Sequence, residues 1–172
     1  CYNTALGSNA MYNNRTGCDN VAVGYYAMRS GQTGTRNTAV GTSAMQYNTG
    51  HYNVGIGYDA MVFNTTGCQN TAIGTQSLCC NVTGWRNTAV GYLSLSSNIV
   101  GKSNTVIGVY AGAGGTGGCN TLMGADAGRS ISSGECNIAI GQEAIVYVDP
   151  HATQFREKPV IADTRAIADT VL

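Results

Sequence analysis

The chain has 172 residues, and its nine basic and nine acidic side chains give a formal net charge of zero. Charged residues are 10% of the sequence, against about 25% in a typical soluble domain. A neutral chain offers no basic field to nucleic acid or to anionic lipid headgroups. No apolar run approaches the roughly 20 residues of a membrane-spanning helix. We therefore expect no nucleic-acid partner and no membrane insertion.

A five-residue phrase recurs along the chain: Asn, a β-branched residue, a residue that is usually small, an aliphatic residue and Gly. Successive copies are 17 residues apart, except for two steps of 16. Beyond each phrase lies a small residue that usually precedes a large apolar one, as in Ala27-Met28, and then a polar turn with another Gly. The nine anchor asparagines are Asn3, Asn20, Asn37, Asn53, Asn70, Asn87, Asn104, Asn120 and Asn137. A short unit repeated in this way is typical of a solenoid.

The alternation inside each phrase indicates a strand. The β-branched and aliphatic residues are two positions apart, which is the strand period. Frequent Gly leaves no room for a useful helix, and we expect a second short strand near each Ala-Met pair. The sequence thus predicts an all-β fold, a parallel β-solenoid of about nine 17-residue coils over residues 1–145. Stacked at about 4.8 Å, these coils make a rod on the order of 40 Å long.

Stacking would make the apolar stripe of one coil continuous with the next. We expect the β-branched and aliphatic slots to point inward, and the asparagines to stack as an amide ladder. The predicted core ladder is Leu6, Val23, Val40, Ile56, Ile73, Val90, Ile107, Met123 and Ile140.

Residues 146–172 leave the pattern, since Pro150, Pro159 and mixed charges appear there. We expect a cap, a linker or a segment that pairs with another subunit. The chain begins with Cys1 inside a repeat, so we also expect it to be an excerpt of a longer protein.

Seven cysteines are many for a cytosolic chain of this size. Cys1 and Cys18 occupy one slot in consecutive coils, and Cys119 and Cys136 occupy the neighbouring slot in two later coils. Because equivalent Cα atoms in adjacent coils lie about 4.8 Å apart, each pair is predicted as a disulfide. The alternative is that all seven are ordinary thiols. The cysteines without such a partner leave an odd thiol for a bridge between subunits: Cys68, Cys79 and Cys80.

Three N-glycosylation sequons begin at Asn14, Asn64 and Asn81, all at one point of the repeat. We expect this point to be an outer turn where a glycan is accessible. The alternative is that Asn-x-Thr is only turn chemistry. Together with the cysteines, the sequons favour an extracellular, virion-surface or cell-surface location.

The sequence lacks the residues that catalysis or cofactor binding would need. Its two histidines, His51 and His151, do not belong to a zinc-ligand pattern. The glycines of 112–117 match a dinucleotide fingerprint, but a new anchor phrase follows where the helix should begin. Acidic residues are too few and too scattered in the repeats for a glycosidase pair. We predict no catalytic, cofactor or metal site, and no enzyme.

Tyr25, Tyr58 and Tyr92 share the slot after the phrase Gly. Exposed Tyr can stack on sugars or anchor a partner. The alternative, which we favour, is that these side chains cover the rod or line a subunit interface.

The units from Asn70 to Gly84 and from Asn87 to Gly101 resemble repeats of phage and virus tail-fibre proteins. The phrase from Asn137 to Gly141 is similar to the head repeats of trimeric autotransporter adhesins. These resemblances cover residues 1–145 and imply parallel β-rolls or β-helices, usually homotrimeric, at virion or cell surfaces. We expect a structural fibre shaft or spacer that self-associates as a homotrimer or as an end-to-end filament. The alternative is an adhesin module that binds a cell-surface glycan or receptor.

Overall fold

Each anchor phrase forms one three-residue strand in the computed structural model of the chain. The structure describes residues 1–115 and 117–144, and within them it contains nine strands and no helix. The predicted segment 146–172 lies outside the described residues. All nine strands pair in parallel in one sheet whose order follows the chain, so the predicted β-solenoid is confirmed. The strands are Thr4–Leu6 (β1), Val21–Val23 (β2), Thr38–Val40 (β3), Val54–Ile56 (β4), Thr71–Ile73 (β5), Thr88–Val90 (β6), Thr105–Ile107 (β7), Thr121–Met123 (β8) and Ile138–Ile140 (β9).

The register places each slot of the repeat on the same slot of the next coil. Thr71 pairs with Thr88 between β5 and β6, for example. The 16-residue coils keep this register because the missing residue falls in the polar turn. In the coil that precedes β4, one residue separates the turn Asn48 from Gly50, whereas two residues separate Asn64 from Gly67 one coil later. A residue lost from an outer turn therefore leaves the sheet unchanged.

The predicted second strand of each coil is wrong. The Ala-Met segment forms consecutive turns instead, in which the N–H of Ala44 donates to Gly41 O at 3.3 Å and that of Asn48 to Met45 O at 3.0 Å. Met45 has a φ of 53°, which lies outside the β region. Hydrogen bonds still join the coils at this side, as from Met45 N–H to Ala60 O at 2.9 Å. Turns in which φ is positive at every second residue, as at Ser43 and Met45, thus stack and bond between coils in the way that strands do.

The predicted core ladder is wrong, because its side chains point outward. Along β5 the middle residue, Ala72, is fully buried, whereas the aliphatic Ile73 is 38% exposed. The coil interior is narrow and is already filled from the opposite turn by residues such as Met61 and Leu78, which are both fully buried. A small residue fits the remaining space, so alternation turns both larger strand residues outward. Residues of the ladder that are exposed or half-buried are Leu6, Val23, Val40, Ile56, Ile73, Val90, Ile107, Met123 and Ile140.

Two coils exchange large and small core residues. Gly112 and Gly128 replace the large residue of the Ala-Met pair, and Val106 and Leu122 replace the small strand residue. A Cβ added to Gly112 would lie 2.9 Å from Leu122 Cδ1, and one added to Gly128 would lie 2.8 Å from Leu122 Cδ2. The interior is therefore packed to a constant volume, as close-packed cores require.

Candidate functional surfaces

The anchor asparagines form a continuous hydrogen-bonded column, as predicted. Asn70 Nδ2 donates to the turn carbonyl Gly84 O at 2.9 Å and to Asn53 Oδ1 at 3.3 Å. Asn70 Oδ1 in turn accepts the backbone N–H of Asn87 at 2.9 Å. This column joins each coil to the next and satisfies buried polar groups that would otherwise destabilise the fold.

The sequon asparagines belong to a second inward column, so the prediction of accessible glycan sites is wrong. Asn64 and Asn81 are fully buried, and Asn14 is half-buried. Asn81 Nδ2, the atom that would carry a glycan, donates to Gly84 O at 2.9 Å. The side chain turns inward because it closes a local turn with a Gly three residues on, as Asn14 Oδ1 does by accepting Gly17 N–H at 3.1 Å.

One of the two predicted disulfides is present. Cys1 and Cys18 are bonded, with Cα atoms 4.6 Å apart. Cys119 and Cys136 are both exposed free thiols, so this part of the prediction is wrong. These two residues lie one slot closer to the anchor Asn, at positive φ values of 60° and 54°. Their side chains therefore leave the backbone in a different direction from those of the bonded pair.

The outward strand residues form an uncharged surface, here called the outer face. It consists of the aliphatic ladder above and a second column that contains six Thr. The columns are about 7 Å apart, since a strand rises about 3.3 Å per residue, and each repeats about every 4.8 Å. The aliphatic column makes this surface a candidate for an interaction site. The second column is Thr4, Val21, Thr38, Val54, Thr71, Thr88, Thr105, Thr121 and Ile138.

Tyr residues border the outer face in the slot after the phrase Gly. Tyr25, Tyr58 and Tyr92 are 47%, 53% and 42% exposed. The ring of Tyr25 stacks on that of Tyr26 at 3.8 Å between centroids, and a hydrogen bond to Tyr26 raises the pKa of Tyr25. The sequence reveals that these rings share a slot, and the structure adds that they line one edge of the outer face.

A second aromatic cluster lies further along the rod. Tyr110 meets Tyr92 edge to face at 5.3 Å, and Arg129 lies 4.7 Å over the Tyr110 ring. Arg129 also pairs with Asp126 at 2.7 Å. A hydrogen bond to Tyr92 raises the pKa of Tyr110. Sequence reasoning missed this cluster because its members come from three coils and three different slots.

Residues 1–115 and 117–144 contain no group of three His, Cys, Asp or Glu side chains that could hold a metal ion. Within the same ranges, no helix has the length and apolar character required to cross a membrane. His51 makes contact through its Nδ1 atom with the hydroxyl of Thr35 at 2.9 Å, and that atom also accepts the Thr35 N–H.

No protein-family model, curated protein or solved structure matches this chain.

Proposed function

We propose that the chain is a structural shaft segment of a fibre at a virion or cell surface, in which copies associate side by side through the outer face. The observation that supports this proposal most directly is that the aliphatic ladder points outward along a regular rod. Ile56, Ile73 and Ile107 are each 37–38% exposed. Apolar side chains repeated along a whole rod are stabilised when a partner covers them.

The dimensions of the outer face suit a second copy of the same rod. Two columns about 7 Å apart over a rod on the order of 40 Å give a stripe of several hundred Å². A stable interface needs roughly 800 Å² from each partner, and the bordering Tyr side chains extend the stripe toward that size. Because every coil presents the same slots, parallel copies in register make the same contact in coil after coil.

The charge distribution also favours close approach of identical copies. The chain is neutral overall, and both columns of the outer face lack charged residues. Identical rods therefore meet without like-charge repulsion. Three rods with their outer faces toward a common axis would close the assembly and leave the polar turns outside. The disulfide between Cys1 and Cys18 suits an oxidising, surface location.

The experiment compares the mass of the wild-type chain with that of two double variants by light scattering. Ile73→Lys with Val90→Lys places two charges on the outer face, one coil apart. Thr66→Lys with Thr83→Lys places the same charges, with the same spacing, in exposed turns. We expect about three chain masses for the wild type and for the turn variant, and one chain mass for the face variant. A wild-type monomer at high concentration would refute side-by-side association.

The second candidate function is glycan binding at the cluster of Tyr92, Tyr110, Asp126 and Arg129. Exposed aromatic rings stack on sugar rings, and a paired Arg and Asp supply donors and acceptors for sugar hydroxyls. A glycan array with wild type and Tyr110→Ala tests it. Saturable binding that the variant loses would support this function. A blank array would refute glycan binding and leave the shaft as the remaining candidate.

A further inference from the structure

Cys79 and Cys80 form a vicinal dithiol on the surface of the fifth coil. Their Sγ atoms lie 3.4 Å apart, and both residues are half-buried. They occupy two successive slots directly after the buried Leu78. Neither fibre association nor glycan binding uses them.

The backbone holds the two residues firmly between neighbouring coils. The N–H of Phe63 donates to Cys79 O at 3.0 Å, and the N–H of Cys80 donates to Ser96 O at 3.1 Å. Cys79 Sγ is also 3.4 Å from Ser96 O. Because the coils above and below fix the backbone, the two sulfur atoms are preorganised as a pair.

Phe63 gives the pair an apolar neighbour. It occupies the slot of Cys80 in the preceding coil and is 52% exposed. Its ring stacks on Tyr47 at 5.8 Å between centroids. An aryl group attached to the two sulfur atoms would therefore have an aromatic surface beside it.

The Cys79 thiol keeps its proton at neutral pH. Burial, together with the hydrogen bond to Cys80, raises the pKa of Cys79 to about 12, and Asp59 adds to the shift. Ligands that need two thiolates, such as divalent cations, must first displace the firmly held Cys79 proton. A neutral compound that exchanges oxygen for sulfur accepts the thiol protons itself.

We propose that Cys79 and Cys80 are a binding site for trivalent arsenicals and like neutral, three-coordinate thiophiles. With phenylarsine oxide, two As–S bonds replace the bonding of arsenic to oxygen. The two thiol protons leave with that oxygen as one water, and no atom changes oxidation state. Sulfur atoms already in contact fit the bent S–As–S chelate, whereas a linear S–metal–S arrangement needs them further apart.

The test uses the full chain, with its free thiols reduced, and one equivalent of phenylarsine oxide. Excess glutathione then removes arsenic held by single thiols, while 2,3-dimercaptopropanol removes chelated arsenic. Intact mass and tandem mass spectrometry locate the adduct. Cys79→Ser and Cys80→Ser each remove one sulfur of the pair, and Cys68→Ser is the matched control that removes an isolated free thiol.

We expect wild type and Cys68→Ser to retain one phenylarsenic group on the peptide with Cys79 and Cys80 in glutathione. Both pair variants should retain at least about tenfold less, since a chelate gains its affinity from the second bond. Mapping on the wild type does not depend on how the variants fold. An adduct that is washed off the wild type by glutathione, or that lies on Cys119 and Cys136 instead, would overturn the proposal.

Discussion

The backbone N–H of Asn53 donates to Asn37 Oδ1 at 2.9 Å, although these two residues are only 16 positions apart. The same bond joins Asn70 to Asn53 at 2.9 Å across a 17-residue coil. The asparagine column therefore has one geometry for both coil lengths. It follows that this column and the strand, rather than the length of the outer turn, set the register of the stack.

The anchor column can be tested at Asn70. Asn70→Ala removes the acceptor of the buried Asn87 N–H, so we expect the free energy of unfolding to fall by about 2–3 kcal/mol. Asn13→Ala changes an exposed Asn and should stay within about 0.5 kcal/mol of wild type. Urea unfolding followed by circular dichroism measures both. Equal effects of the two changes would show that the column does not hold the coils together.

The exchange of large and small core residues predicts coupling between Gly112 and Leu122. Gly112→Met alone overpacks the site at a cost of about 1–3 kcal/mol, and Leu122→Ala alone leaves a cavity at about 2–5 kcal/mol. The double variant places a Met beside a small strand residue of the next coil, as Met45 lies beside Gly55. We therefore expect its loss of unfolding free energy to be smaller than the sum by more than about 1 kcal/mol. Simple additivity in the same urea assay would contradict this packing.

The thiol of Cys79 predicts a loss of stability at alkaline pH. Its pKa is about 12 in the folded chain and 9.0 in an unperturbed thiol. A raised folded pKa favours the folded state below pH 9, and this contribution is lost as the pH rises from about 9 toward 12. Cys79→Ser should flatten the fall of the urea midpoint in this range, whereas Cys68→Ser should not. If both variants follow the wild-type curve, the Cys79 thiol is not the titrating group.

The sequons should serve folding rather than glycosylation. In a host without glycosylation, Asn64→Gln should lower the free energy of unfolding by about 2–3 kcal/mol because its buried hydrogen bonds are lost. Thr66→Ala destroys the same sequon at an exposed residue and should have little effect. In a secretory host, mass spectrometry of the folded fraction should find no glycan on Asn64 or Asn81. A folded rod with a glycan on Asn81 would contradict the inward column.

The period, the strand and the asparagine column could be predicted because they follow from spacing alone. The side that faces inward could not, since alternation divides Thr71, Ala72 and Ile73 between two faces without saying which face has room. The space inside the coil is limited by the side chains of Met61 and Leu78, which belong to turns and not to the strand. The second strand failed for a related reason, because positive φ at residues such as Met45 is not visible in their side-chain type.

The candidate sites also include some that spacing in the sequence predicts and some that it does not. Equal slots in adjacent coils predicted the Cys1–Cys18 disulfide, but one slot of displacement redirects Cys119 and Cys136. Cys79 and Cys80 are visibly adjacent in the sequence, but adjacency alone does not predict that their Sγ atoms lie 3.4 Å apart. The sequence predicts an exposed Asn81 because polar turns are usually exposed, whereas the Asn81 side chain turns inward and donates to the carbonyl of Gly84.

Methionine oxidation by dilute peroxide tests the central claim, an outward aliphatic ladder that copies cover, most directly. Met45 and Met61 are fully buried, and Met123 of the outer face is 38% exposed. At low protein concentration Met123 should form its sulfoxide at least about tenfold faster, since exposure controls this reaction. As the concentration rises and copies associate, its rate should fall toward that of the buried pair. Slow oxidation of Met123 with fast oxidation of Met45 and Met61 at every concentration would contradict the account.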